Sequence, residues 1–150
     1  MQKHQRNIGI KFRNVYKVTR GDQITYSILK KREIDPVCNI DFKMPTYRQH
    51  LKFMSGKPYK IWYLIIYKNE FIGSINLTKK DEIGIFIFRE YRNRLFGYST
   101  LKSFIKTIKQ RPLYAAINIA NTISMKLFKK CGFKILHENE LYIKLIKRTK

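Results

Sequence analysis

The sequence predicts one domain of the α/β or α+β type, built as a sandwich of helices on one mixed sheet. Two observations lead to this class. The chain of 150 residues shows no repeat and no linker rich in Pro or Gly, as expected for a single core. Strand-like apolar runs also alternate with segments of helical periodicity. Their order is a meander of strands, a crossover helix, a strand, a helix and a hairpin.

Strands are predicted where β-branched and aromatic residues cluster or alternate with polar ones. These runs fall at residues 8–15, 59–67, 71–77, 82–88 and 113–120. The run 82–88 is apolar at nearly every position, as expected for a strand buried on both faces. A final hairpin begins at Phe133 and turns near "HENE", residues 137–140. Residues 24–35 fit either a strand or a helix, and Pro36 ends that segment.

Three helices are predicted from capping signals and apolar spacing. A short one begins at Thr46, which forms a capping box with the Gln three residues later. Residues 99–110 place their apolar side chains at helical spacing on one face. Asn121 caps a helix that runs to residue 130, with Ile123 and Leu127 expected on its inner side.

The charge of the chain is far from balanced. It holds 32 Lys and Arg residues against 10 Asp and Glu, a formal net charge of +22. The excess is spread along the chain, and it predicts an anionic partner or substrate, including non-specific binding of nucleic acid. A composition bias toward Ile, Lys and Asn is the alternative explanation. No apolar run approaches the roughly 20 residues that span a bilayer, and the N-terminus lacks an apolar signal core. We therefore expect a cytoplasmic location and no membrane partner.

The cysteines and histidines do not indicate a metal or a thiol chemistry. Cys38 and Cys131 lie far apart in unrelated contexts, so they predict neither a ligand cluster nor a disulfide framework. The three histidines show no nucleophile or metal spacing. His50, on the early helix, is expected to be partly exposed, with the lining of an acceptor pocket as the alternative.

A cationic turn, "REYRNRLFGYS", connects the strand 82–88 to the next helix. Unpaired N–H groups and the positive end of the helix dipole meet at such a turn. Arg92 and Arg94 add formal charge, and Gly97 permits a close approach or a positive φ. The turn therefore predicts a pyrophosphate site, with a solvated basic loop as the alternative. Leu95 stands where a glycine is common; it is tolerable if it takes helical dihedral angles and points away. We expect it to hold the dihedral angles of the turn with its amide facing the phosphate.

Two segments together resemble the GNAT superfamily of acyl-CoA-dependent N-acetyltransferases. "RNRLFG", Arg92 to Gly97, is similar to the family's Arg/Gln-x-x-Gly-x-Gly/Ala phosphate loop. "NTISMKLFKKCGF" is similar to its Asn-x-x-Ala/Ser-x-x-x-Tyr/Phe-x-x-x-Gly-Phe segment. The resemblance covers about residues 24–146 of a 1–150 domain. It implies about seven mostly antiparallel strands that splay apart between the fourth and fifth. It also implies acetyl-CoA as co-substrate, no metal and a homodimer.

The resemblance also implies roles for individual residues. Glu82 is the candidate base, with its pKa raised by an apolar sheet interior; a surface glutamate at a hairpin end is the alternative. Phe128 stands where many members have a tyrosine that protonates the leaving thiolate. Tyr98, Tyr114 and Tyr142 are the candidate substitutes, with a thiolate that leaves unaided as the alternative. The acceptor is expected near His50 and Trp62. The expected cofactor contacts are Ile87 and Phe88 through their backbones, then Arg92, Asn93, Arg94, Leu95, Phe96, Gly97, Tyr98, Asn121 and Phe128.

The predicted activity is acetyl transfer from acetyl-CoA to a primary amine of an anionic acceptor. The chain loosely resembles the members that acetylate nucleotide-linked amino sugars, whose anionic acceptor suits the net charge. An amine borne by nucleic acid suits the net charge of +22 better still. A protein amine is the least favoured, because basic acceptors would be repelled. The alternative from another class is a non-catalytic module that binds nucleic acid through the loop and aromatic faces.

Overall fold

The computed structural model describes residues 8–38, 42–92 and 94–150. These residues form seven strands: β1 Lys11–Asn14, β2 Tyr59–Tyr67, β3 Glu70–Thr78, β4 Ile83–Ile87, β5 Leu113–Asn118, β6 Lys134–Glu138 and β7 Tyr142–Lys147. The helices are α1 Gly21–Glu33, α2 Tyr47–Ser55, α3 Phe96–Thr107 and α4 Thr122–Lys130, with a short 3₁₀ helix at Arg89–Tyr91. Asn93, a predicted cofactor contact, lies outside the described residues.

The strands form two antiparallel sheets rather than one mixed sheet. Their orders are β1-β2-β3-β4 and β5-β7-β6. A single parallel bridge, between Glu82 and Tyr114, joins the sheets within the described part of the chain. Beyond this bridge β4 and β5 separate, which confirms the predicted splay and leaves the edge of β4 open.

The ambiguous segment at residues 24–35 is helical and belongs to α1. The buried residues of α1 are Gly21, Thr25 and Ile28, which lie at i, i+4 and i+7 on one helical face. Two of these three are not apolar, so the periodicity of apolar residues alone left the segment undecided. Gly21 is required at the start of α1, because a Cβ there would lie 2.5 Å from the carbonyl oxygen of Val15.

The capping box predicted at the start of α2 is confirmed. The side chain of Thr46 accepts from the N–H of Gln49, and the Gln49 side chain accepts from the N–H of Thr46. α4 confirms the Asn121 cap, whose Oδ1 accepts from the N–H of Ser124 at 3.1 Å. Its predicted inner face was wrong at Ile123, which is 49% exposed, whereas Phe128 is the buried residue of the helix.

The core lies on both faces of the first sheet. One cluster packs β2, β3 and the second sheet against α3 and α4, and a smaller one packs β2 against α1 around Trp62. β4 is buried only at its ends, Ile83 and Ile87. The prediction of a strand covered on both faces was therefore wrong for its middle, which opens onto a cleft. No helix in the described ranges is both long and apolar enough to cross a membrane.

Candidate active site

The fork between β4 and β5 opens into a cleft with two connected cavities. We call the outer one, about 370 Å³, the cationic groove; it lies between β4, the first turn of α3 and the length of α4. We call the other, about 340 Å³, the inner pocket; it lies between α1, the first sheet and β5. The two cavities share a wall that includes Val37, Cys38 and Asn121, so a molecule in one can contact a molecule in the other.

The open edge of β4 forms the floor of the cationic groove. The N–H of Phe88 donates to the carbonyl of Ile72 at 2.8 Å, so Phe88 pairs with β3. Hydrogen bonding alternates along an antiparallel pair, so Ile85 and Ile87 turn their backbone groups toward the open edge. Both residues line the groove. The prediction was therefore wrong for Phe88 and missed Ile85.

The positive charge of Arg92 is paired with Asp35 and is not free to bind a phosphate in the groove, contrary to the prediction. Its Nη2 lies 2.5 Å from Oδ2 of Asp35, and the two side chains are 15% and 3% exposed. Its Nε donates to the carbonyl of Ile87 at 3.1 Å. Burial raises the pKa of Asp35, but hydrogen bonds from Arg92 and from the N–H of Val37 outweigh it and leave that pKa below its usual value. The pair is therefore ionised at neutral pH.

The turn into α3 presents backbone amides at the end of the groove. The first intrahelical bond runs from the N–H of Ser99 to the carbonyl of Leu95 at 2.9 Å. The N–H groups of Phe96, Gly97 and Tyr98 precede it and have no acceptor within the helix. Such a helix terminus favours an anion.

Leu95 occupies the conformation of the missing glycine. Its φ and ψ are 66° and 5°, in the left-handed region, so it does not take the helical dihedral angles that were the condition for tolerating a leucine here. The side chain is 61% exposed, which removes any packing obstacle but not the backbone cost of about 1–2 kcal/mol. The turn thus keeps its shape without the glycine, at the expense of strain.

The other residues of this turn have separate roles. Gly97 allows a close approach, because a Cβ would lie 3.2 Å from Cδ2 of Leu127 on α4. The Phe96 ring is buried against Tyr67, so only its backbone can reach a ligand. Tyr98 lines the groove. Arg94 is exposed.

Two lysines of α4 supply positive charge to the groove, because the charge of Arg92 is neutralised by Asp35. Lys126 and Lys130 line the groove, and Nζ of Lys130 lies 4.5 Å from the centre of the Tyr98 ring. Sequence reasoning missed both lysines. Their i, i+4 spacing on a helix with one buried aromatic places them on one exposed face, and that signal was available in the sequence.

The inner pocket is lined by aromatic, amide and hydroxyl groups. Tyr59 and Trp62 form its aromatic side, and Arg32 is its cation. Asn76 lies across from Gly84 on β4, and a Cβ at Gly84 would lie 3.1 Å from the Asn76 amide. The glycine therefore keeps this amide accessible. Among the described residues, none of those lining the pocket is Asp or Glu.

His50 does not line either cavity, and the expectation of partial exposure was wrong. It is 2% exposed and its Nε2 lies 2.7 Å from Oγ1 of Thr25. Its ring stands edge-on to Trp62 at 6.4 Å. Burial lowers the pKa of His50. The residue therefore supports the wall that carries Trp62, which does line the inner pocket.

Glu82 lies at the point where β4 and β5 separate, but not in an apolar interior as expected. It forms an ion pair with Lys144 of β7, and its side chain is 29% exposed. Phe128 is buried and lines the inner pocket. Of the three tyrosines named as substitutes for its missing hydroxyl, Tyr98 lines the groove and Tyr142 the pocket, while Tyr114 lines neither.

The chemistry of the cleft does not depend on a nucleophilic thiol. Cys38 borders both cavities, and burial raises the pKa of its thiol. It is therefore protonated at neutral pH and is a poor nucleophile. No group of three or more His, Cys, Asp or Glu side chains that could hold a metal ion occurs among residues 8–38, 42–92 and 94–150.

A splayed strand edge, a row of helix N-terminal amides and adjacent cations define a binding site for an extended ligand that ends in phosphates. The family comparison agrees with this class. The model of the GNAT acetyltransferase domain matches residues 22–134. The chain belongs to the GNAT acetyltransferase family and is an acyl-CoA-dependent N-acetyltransferase, with acetyl-CoA as its co-substrate.

Solved structures share the fold at low sequence identity. The chain is similar to the Campylobacter jejuni N-acetyltransferase PseH in complex with acetyl-CoA, with 20% identity, a TM-score of 0.72 and 94% and 99% of the two chains covered. It is also similar to a Vibrio cholerae spermidine N-acetyltransferase in complex with CoA and spermine, with 14% identity, a TM-score of 0.73 and 93% and 95% covered. RimL, a ribosomal protein acetyltransferase, has 12% identity, a TM-score of 0.75 and 93% of each chain covered. No curated protein matches the sequence significantly.

Proposed function

We propose that this enzyme transfers the acetyl group of acetyl-CoA directly to a primary amine of an anionic acceptor, with a nucleotide-linked amino sugar as the leading class. The lining of the inner pocket carries the proposal. Arg32 offers a charge for a phosphate, the Asn76 and Asn118 amides suit sugar hydroxyls, and the Tyr59 and Trp62 rings suit a sugar or base face.

The same lining disfavours a polyamine acceptor. A polyamine carries several positive charges, and its recognition requires nearby carboxylates. The described residues around the inner pocket supply an arginine and no carboxylate. A spermidine N-acetyltransferase therefore shares the fold, but the pocket of this chain does not suit the same acceptor.

Acetyl-CoA fits the cationic groove by the groups that line it. The backbone groups of Ile85 and the N–H of Ile87 would pair with the amides of the pantetheine arm as an added strand does, whereas the Ile87 carbonyl already accepts from Nε of Arg92. The amides before Ser99 would accept the pyrophosphate, with Lys126 and Lys130 adding charge. Asn121, between the groove and the pocket, would contact the arm where it enters the pocket.

The reaction requires a neutral amine, so a proton has to be removed before attack on the thioester. We assign the base to Glu82, acting through water, because it is the carboxylate at the origin of the fork. Tyr98 and Tyr142 are the candidates to protonate the leaving thiolate. The protonated Cys38 thiol favours direct transfer to the amine without an acyl-enzyme intermediate.

The test combines cofactor binding with an acceptor screen. Acetyl-CoA at micromolar concentration should raise the melting temperature of the protein. Turnover should then be found with UDP-linked amino sugars and not with spermidine. Turnover of spermidine at a comparable kcat/KM would refute the acceptor class, and the absence of a thermal shift would refute the cofactor assignment.

A second candidate function is the binding of nucleic acid, with or without acetylation of an amine that it carries. Residues 91–137, which include α3 and α4, hold ten Lys and Arg residues and no Asp or Glu. A long stretch of basic residues without acids attracts phosphates. Binding of a 20-nucleotide RNA that weakens steeply with salt, and that persists when the inner pocket is blocked, would support this function.

A further inference from the structure

Two ion pairs connect the end of α1 and the residues after it to the segment that follows β4. Asp35 and Arg92 form the buried pair, with side chains 3% and 15% exposed. Lys31 and Glu90 form the exposed pair, at 3.2 Å, with side chains 48% and 57% exposed. They join the same two parts of the chain, so each serves as a control for the other.

The Asp35 carboxylate fixes a turn as well as an ion pair. Its Oδ1 accepts from the N–H of Val37 at 3.0 Å and from the N–H of Cys38 at 3.3 Å. Its Oδ2 lies 2.5 Å from Nη2 of Arg92. The same guanidinium contacts Sγ of Cys38 at 3.4 Å and the carbonyl of Ile87 at 3.1 Å. One carboxylate therefore shapes the Val37–Cys38 turn and binds it to the end of β4.

That turn separates the two cavities. Val37 and Cys38 line both the cationic groove and the inner pocket. The carbonyl of Cys38 also accepts from Nε of Arg32 at 3.2 Å, so the turn helps to orient the cation of the inner pocket. A displacement of the turn would change the acceptor side of the cleft more than the groove, which has α3 and α4 on its other side.

We propose that Asp35 is a positioning residue for the acceptor: through Arg92, it holds the Val37–Cys38 turn as the partition between the cationic groove and the inner pocket. Arg92 then acts as an anchor of this turn and not as a phosphate ligand. The inference rests on the proposed function for its effect on catalysis, whereas the position of the turn can be measured without any substrate.

The first measurement is alkylation of Cys38 by iodoacetamide, followed by peptide mass spectrometry. Burial is the largest cause of the raised pKa of Cys38. Among the nearby charges, Arg92 lowers this pKa and Asp35 raises it. The double variant Asp35→Asn/Arg92→Gln removes both charges, whose effects on the thiol pKa oppose each other. A faster reaction therefore reports greater exposure of the thiol. It also leaves no unpaired buried charge, which would endanger folding. We expect the rate at Cys38 to rise about tenfold, because the turn opens locally.

Two controls belong to the same experiment. Cys131 reports global unfolding in the same molecule, and its rate should not change. Glu90→Gln breaks only the exposed pair and should leave the Cys38 rate within about twofold, since exposed pairs contribute little. An unchanged Cys38 rate in the double variant, or an equal rise at Cys131, would overturn the inference.

The second measurement separates positioning from a general structural role. With a UDP-linked amino sugar as acceptor, the double variant should raise the KM for the acceptor about tenfold or more. The KM for acetyl-CoA should rise by a clearly smaller factor, through the loss of Arg92 from the groove and of its bond to the Ile87 carbonyl. An equal rise in both KM values would overturn the inference. If wild-type protein neither binds acetyl-CoA nor turns over, the proposed function fails, and the alkylation result still decides whether Asp35 holds the turn.

Discussion

The cationic groove and the inner pocket belong to one cleft, but they are assembled in different ways. Apart from Val37 and Cys38, the described residues that line the groove lie close together in sequence, at 85–92 with 95–98 and at 121–130. The inner pocket takes its lining from α1, β2, β3, β4, β5, α4 and β7. A site built from contiguous residues leaves a motif in the sequence, whereas a site collected from many elements does not.

The cationic groove and the inner pocket also differ in the charges of their lining residues. The groove has Lys126 and Lys130 together with Arg92, whose charge is neutralised by Asp35. The inner pocket has Arg32 among neutral polar and aromatic side chains. The groove therefore suits a polyphosphate, and the pocket suits a hydroxyl-rich group with fewer charges. Variants confined to one cavity should affect one substrate only.

Glu82→Gln tests the carboxylate at the origin of the fork, which lines neither cavity itself. If Glu82 removes the amine proton, kcat should fall by about 10²–10⁴-fold while the thermal shift with acetyl-CoA stays unchanged. Lys144→Met is the matched control, because it removes the partner of the same ion pair. If Lys144→Met lowers kcat as much as Glu82→Gln does, the ion pair rather than the base is responsible.

Charge reversal on α4 tests the groove alone. Lys126→Glu/Lys130→Glu should weaken acetyl-CoA binding by about 10–100-fold, with a smaller effect at high salt, since two contacts to phosphate become repulsive. Lys129→Glu is the matched control. Lys129 lies between the two lysines in sequence, is exposed on α4 and does not line the groove. Isothermal titration should show a change below about threefold for this control, and an equal loss would point to long-range charge rather than to contacts.

Replacement of Arg32 tests the inner pocket alone. Arg32→Ala should raise the KM for a UDP-linked amino sugar about tenfold, which corresponds to 1.4 kcal/mol, and leave the KM for acetyl-CoA unchanged. A neutral amino sugar is the control acceptor, and its KM should not respond. A similar rise for both acceptors would show that Arg32 shapes the pocket and does not bind an anion.

Leu95→Gly tests the strain in the turn of the groove. Glycine adopts positive φ without the cost that Leu95 bears at 66°, although it loses more backbone entropy on folding. We expect a net gain of about 1 kcal/mol in the free energy of unfolding, measured by urea denaturation. Leu95→Ala keeps a Cβ and should give no gain. A loss of stability in Leu95→Gly would show that the leucine side chain packs favourably.

Much of the fold could be predicted because its signals are local. The range of β2 follows from a run of β-branched and aromatic residues, and the start of α4 follows from the Asn121 cap. Both signals depend on neighbours in sequence. α1 could not be assigned, because Gly21 and Thr25 on its buried face are chosen for contact with Val15 and His50 and not for hydrophobicity.

The site was predictable to the same extent. The turn that we propose to bind phosphate, and the Asn121 cap beside it, follow from the spacing of the motifs. The use of Arg92 did not, because its partner Asp35 lies 57 residues earlier in the chain. Phe88 was misassigned for a related reason: which residues of β4 face the open edge is fixed by its register with β3, and that register is not visible in β4 itself.

The sequence by itself determined the elements, the net charge of +22, the position of the anion-binding turn and the family. Capping, periodicity and charge depend on residue types and short spacings, so a linear sequence carries them. The tertiary structure decided which cation is free, which strand edge is open and which side chains meet around the acceptor. Those properties depend on contacts between residues distant in the chain, such as Asp35 with Arg92, and they exist only when the chain is folded.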